Sequence, residues 1–86
     1  MKELERPLKA LANRRRLAIL KHLKREKEAP VWDIAEAIRL SLKATSKHLG
    51  VLSAADIVER DQRGLQMFYR LSNILPVVAS RIISLL

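Results

Sequence analysis

The chain has 86 residues, enough for one small domain, and a formal net charge of +8 from 17 Lys and Arg against 9 Asp and Glu, which favours nucleic acid or an anionic membrane surface as partner. A hydrophobic content of 49% with only 2 glycines and 3 prolines excludes a disordered or loop-rich chain, and the absence of cysteine excludes disulfides, thiolate metal sites and thiol redox sensing. No segment reads as a signal peptide, and the longest apolar region, near the C-terminus, is broken by Ser80 and Arg81 before it can span a bilayer, so a soluble cytoplasmic protein without a membrane partner is the expectation.

Leu4, Leu8 and Leu11 recur at helical spacing and predict a first helix of about two turns. Asn13 is placed to cap a second helix that buries Leu17, Ile19, Leu20 and Leu23. Arg14, Arg15 and Arg16 open that helix against its dipole, at a cost of roughly tenths of a kcal/mol at an exposed end. A neighbouring carboxylate can hold one of the three and a phosphate another. The mixed signs from Lys24 to Glu28 read as a solvated helix end. Ala29-Pro30 marks a break, and a third helix follows from about Val31 to Ile38, with Trp32, Ile34, Ala35 and Ile38 as candidate core.

Arg39 and Leu40 form a turn, after which Ser41 is suited to cap a fourth helix from Leu42 to about Ala54. At a step of roughly 100° per residue, Thr45, Leu49 and Leu52 share the inner face, Lys43, Ser46, Lys47 and Gly50 the outer face, and His48 the boundary. Two short amphipathic helices around a tight turn are the sequence form of a helix-turn-helix, whose second helix can enter the major groove of DNA. Beyond Asp56 the period changes. Ile57–Gln62 and Leu65–Leu71 predict an antiparallel hairpin around Arg63-Gly64, with Met67, Tyr69 and Leu71 on one face. A last helix, starting near Asn73 with Pro76 in its first turn, carries Ile74, Leu75, Val78, Ile82, Leu85 and Leu86, more apolar surface than it needs for itself. The expected fold is mainly α with a small β-hairpin, a winged helix-turn-helix of order α-α-α-α-β-β-α in a single domain over residues 1–86.

The segments LKALANRRRLAIL, VWDIAEAIRLSLKATSKHLGVLSAADIVER and RGLQMFYRLS resemble the arsenic-repressor (ArsR) family of small dimeric transcription regulators, over about Leu8 to Ser72. The most specific part is Ser46-Lys47-His48-Leu49 followed by Leu52, then a wing ending in Phe68-Tyr69-Arg70-Leu71. The resemblance implies a homodimeric regulator, a repressor, on an inverted-repeat site in double-stranded DNA. Its two copies would pair through terminal helices at about residues 3–11 and 74–86, using Leu4, Leu8, Ile74, Val78, Ile82 and Leu85. Many family members sense metals with a Cys-x-Cys-Asp sequence at the start of the third helix; Pro30 and Trp32 stand at the matching positions here, ahead of Asp33. The other family site uses Asp and His on the C-terminal helix, and NILPVVASRIISLL has neither. No metal or other cofactor is therefore expected, and the sequence names no protein or small-molecule effector. Two family glycines are replaced, by Arg39 in the helix-turn-helix turn and by Asp56 after the recognition helix. In a left-handed conformation Arg costs on the order of 1 kcal/mol, which a phosphate contact would justify and an altered turn would avoid.

Lys43 and Lys47 are the leading candidates for DNA contact, since lysine donates to guanine acceptors or pairs with phosphate. Ser46 can donate to a base or phosphate on the same face, with Arg39 and Ser41 beside it in the turn. His48 either hydrogen-bonds a phosphate or packs at the core edge. Leu42 either meets a thymine methyl or packs within the protein. Arg63 at the expected wing tip, helped by Arg60 and Gln62, can reach a minor groove or phosphate, or simply stay solvated. Nothing suggests an enzyme: there is no carboxylate pair, no nucleophile with its base and no glycine-rich phosphate loop, and Ser46 and His48 diverge on one helix. A protein-interaction winged helix and a sequence-neutral nucleic-acid binder are the alternative readings.

Overall fold

The computed structural model describes residues 1–86. Five helices and three strands follow in the order α1 (Lys2–Leu11), α2 (Arg14–Glu26), β1 (Glu28–Pro30), α3 (Val31–Ile38), α4 (Leu42–Ala54), β2 (Val58–Arg63), β3 (Gln66–Leu71) and α5 (Val77–Ser84). This is the expected winged helix-turn-helix with one addition. The Ala29-Pro30 break is a short strand, so the wing is a three-stranded antiparallel sheet of order β1-β3-β2. Pro30 escapes a sheet's usual veto on proline because β1 is an edge strand, where a missing N–H breaks no ladder.

Helix α2 runs through the middle of the molecule and packs on α1, α3, α4 and α5 as well as on the sheet. Asn13 caps it as expected, its side chain accepting from the backbone N–H groups of Arg15 and Arg16 at 2.9 and 3.1 Å. Ile19, Leu20 and Leu23 from α2 meet Ile34 from α3, Leu49 and Leu52 from α4, Ile57 ahead of β2 and Ala79 from α5, all with almost no exposure. Burial stabilises each of the large side chains by roughly 1.5–3 kcal/mol, enough to fix where α4 lies on the body. Tyr69, with Met67 and Leu71 on the same face of β3, closes this core from the sheet side.

Three expectations need correction. Trp32 is not core: it is 51% exposed, because Val31, Ile34, Ala35 and Ile38 already fill the inward face of α3 and Trp32 lies about 100° round from Val31. The hairpin turn sits one residue later than expected. Arg63 pairs with Gln66, leaving Gly64 and Leu65 as the loop, and only Gly64 has positive φ (+62°), as in a type II′ turn. Finally, α5 starts at Val77, with Pro76 as its cap residue and not inside its first turn. Proline bars the preceding Leu75 from helical dihedrals, so Asn73 and Ile74 form a turn. That turn is anchored by Glu59, which accepts from the Asn73 N–H at 2.9 Å, and by the Ser72 hydroxyl, which accepts from the Ile74 N–H at 3.0 Å.

Candidate nucleic-acid interface

Helix α4, the candidate recognition helix, is built by its two faces. Thr45, Leu49 and Leu52 are buried against the body, while Lys43, Ser46, Lys47 and Gly50 stand in solvent, as the periodicity predicts. Ser41 starts the helix by accepting from the Ala44 N–H at 3.1 Å, and Leu42 is exposed at the first helical position. Neither Lys43 nor Lys47 has an acidic partner within ion-pair distance, so both ammonium groups are free for an anion.

The turn into α4 takes the conformation that its replaced glycine implies. Arg39 ends α3 with φ 56° and ψ 52°, left-handed, and its N–H satisfies the last carbonyls of the helix. Asp56 after α4 is also left-handed, at φ 59°. The Arg39 side chain is exposed and makes no hydrogen bond or ion pair within the protein, which leaves it beside Ser41 on the same rim.

His48 is half-buried at the edge of the core, with one ring nitrogen engaged inside the protein. Arg16 Nη1 lies 3.2 Å from His48 Nδ1, and a guanidinium can only donate, so Nδ1 accepts and the ring proton sits on Nε2. Burial first, then the nearby charges of Arg16 and Arg15, hold the imidazole below its ordinary pKa. A neutral ring with a free Nε2–H can still give one hydrogen bond to a phosphate.

No carboxylate holds any of Arg14, Arg15 or Arg16, contrary to expectation. Arg15 Nη1 donates to the Ile38 carbonyl at 2.8 Å, and Arg16 donates to the carbonyls of Ala10 and Lys9. Both therefore serve the unpaired, electronegative C-terminal ends of other helices, α3 and α1, which is where a cation is favoured. Only Arg14 is exposed and without a partner. Sequence periodicity could not find these contacts, since each joins separate helices.

In the wing, Arg60 is exposed with no ion-pair partner, and Gln62 donates only a long 3.4 Å bond to the Gly64 carbonyl. Arg63 lies elsewhere than expected. It is not at the tip, and its guanidinium is bound by Glu28 and Asp61 and stacked on Phe68. Leu65, absent from the sequence candidates, is the fully exposed residue at the tip itself.

The residues present do not fit a resident metal ion. Pro30 and Trp32 offer no ligand, Asp33 is held by His22 at 3.0 Å, α5 carries no Asp, Glu or His, and no three ligating side chains converge anywhere.

Residues 11–61 match a family model described as a helix-turn-helix domain. Among solved structures, HlyU from Vibrio cholerae is 33% identical over 98% of this chain and 88% of its own, with a TM-score of 0.85. The Mb0332 domain from Mycobacterium bovis, described as a homodimeric winged helix-turn-helix DNA-binding domain of a possible ArsR-family transcriptional regulator, is 33% identical over 98% of this chain and 74% of its own, with a TM-score of 0.84. The transcriptional repressor PagR of Bacillus anthracis is 27% identical over 99% of this chain and 94% of its own, with a TM-score of 0.81. No curated protein sequence matches the chain.

Proposed function

The chain belongs to the ArsR-type family of winged helix-turn-helix transcription regulators, and from that premise we propose that it is a homodimeric, sequence-reading repressor that binds an inverted repeat in double-stranded DNA. The observation that carries this reading is the outer face of α4, where Lys43, Ser46 and Lys47 stand free beside a capped N-terminus while the opposite face is locked into the core. In the major groove Lys43 and Lys47 donate to guanine acceptors or phosphate, and Ser46 adds a shorter donor. Arg39, Ser41 and His48 Nε2 flank them as phosphate contacts, and Arg60 and Gln62 supply the wing. None of these residues depends on a metal, and metal sensing through the family's known positions forms no part of the proposal.

Dimerisation is supported by apolar surface left uncovered on the two terminal helices. Leu4 and Leu8 on α1, and Ile74, Val77 and Leu85 at and around α5, are all exposed, while Val78 and Ile82 are half-buried between them. Since α1 and α5 pack together, these side chains belong to one end of the molecule, and pairing two copies there would bury them. Two recognition helices then sit roughly 34 Å apart, one turn of B-DNA.

A binding titration across salt concentration tests the contact face. Lys43→Gln/Lys47→Gln should weaken binding to duplex DNA and make the log–log salt dependence shallower by about 0.9 for each phosphate that goes unneutralised. Unchanged affinity and slope would refute α4 as the contacting element.

A further inference from the structure

The outer face of the sheet carries an ion network that DNA contact by α4 leaves unused. Arg63 donates through Nη1 and Nη2 to the two carboxylate oxygens of Glu28, each at 2.7 Å, and through Nε to Asp61 Oδ2 at 3.0 Å. Its guanidinium lies 4.5 Å from the centre of the Phe68 ring. Glu28 also faces Arg70 at 3.7 Å, which in turn pairs with Glu59 at 3.3 Å. Strand register explains the direction of the Arg63 side chain. Arg63 stands opposite Gln66 beside the tip, Asp61 opposite Phe68, and Glu28 opposite Arg70 at the base. To reach Glu28 the side chain must run back along the hairpin, over Phe68, away from the tip.

All three guanidinium nitrogens are thus committed to carboxylates in the forked geometry that gives arginine pairs their directionality. The carboxyl of Glu28 is held below its usual range chiefly by these hydrogen bonds, so the pair stays charged at neutral pH. Exposed ion pairs contribute little to stability, and this one is better placed to orient than to stabilise. Two N–H groups of Arg63 remain unengaged, but a DNA phosphate approaching them would lie beside two carboxylates. Arg60 alternates to the other face of the same strand and has no such competitor.

We propose that Glu28 is a positioning residue for DNA recognition: with Asp61 it folds Arg63 back onto the sheet, ties the β2–β3 hairpin to β1 and withholds that arginine from the duplex, leaving Arg60 as the wing's DNA-facing cation. This rests on the DNA-binding reading above. Neither the helix-turn-helix nor the β2–β3 hairpin contains Glu28, so it acts on the hairpin from the edge strand β1.

The test is a set of salt titrations on one duplex with five variants whose folding is checked by thermal melting. Arg63→Gln should leave the salt slope unchanged, because the native Arg63 engages no phosphate. Glu28→Gln/Asp61→Asn should steepen it by about 0.9 for each wing engaged, as the freed arginine finds a phosphate. Adding Arg63→Gln to that pair should return the slope to the native value. Arg60→Gln should make the slope shallower. A shallower slope for Arg63→Gln alone would overturn the proposal, as would a steeper slope that survives in the triple variant, since that would report only the removal of acidic charge. Lys47→Gln distinguishes the two levels: if it too leaves binding untouched, the DNA reading fails and this proposal falls with it.

Discussion

Two polar side chains on α4, Thr45 buried and His48 half-buried, make residue-level predictions of opposite kind. Thr45 is fully buried and its hydroxyl is the one buried side-chain polar atom without a hydrogen-bond partner. Removing an unpaired hydroxyl while keeping the branched shape should help, so Thr45→Val is expected to raise stability by about 1 kcal/mol in urea denaturation. A loss of stability would mean that the hydroxyl is paired. His48, by contrast, accepts from Arg16 and is held below its ordinary pKa by burial and by the neighbouring arginines. The unfolded chain therefore takes up a proton near pH 6.5 that the folded ring refuses. The stability this contributes is present above that pH and is lost as pH falls through the folded pKa. Melting temperature should drop less steeply from pH 7 to pH 5 in His48→Gln than in the native chain; parallel profiles would refute the depressed pKa.

At the scale of elements, Arg39 ties a stability prediction to a DNA-binding one. It ends α3 in a left-handed conformation that favours glycine, yet its exposed side chain makes no compensating contact inside the protein. Arg39→Gly should therefore gain about 1 kcal/mol of stability while making the DNA salt slope shallower by about 0.9. A stability gain with an unchanged slope would contradict the phosphate contact. This element also shows what sequence can reveal. The bounds of α3 and α4, the Ser41 and Asn13 caps and the two faces of α4 were legible because each follows from local periodicity or a single capping side chain. The third strand was not, since three residues containing a proline become a strand only when β3 is already beside them. The Ile38 partner of Arg15, the His48 partner of Arg16 and the Glu28 partner of Arg63 were equally hidden, because each lies on an element far away in sequence. The left-handed Lys27, at φ 73°, was hidden for another reason: it is a non-glycine in a conformation that nothing in its neighbours announces.

At the scale of the whole molecule, net charge overstates the DNA-binding surface. From Arg14 to Lys27 the chain holds seven basic residues and one acid, yet four of the seven are committed internally. Arg15, Arg16 and Lys24 serve helix-end carbonyls, and Arg25 contacts Glu26 and His22. Exposed and unpaired charge remains on Arg39, Lys43 and Lys47 in α4 and the turn before it, on Arg60 in the wing, and on Arg14, Lys21 and Lys27 along and just after α2. On the proposed reading, α4 and its turn read DNA while the apolar side chains of α1 and α5 pair copies. The most direct test of that reading is selection from random duplexes at near-physiological salt, with the native chain and Lys43→Ala/Lys47→Ala in parallel. Enrichment of an inverted repeat with half-sites about one helical turn apart, abolished in the double variant, is the predicted result. Tight binding without an enriched motif, or the same motif from both proteins, would contradict it.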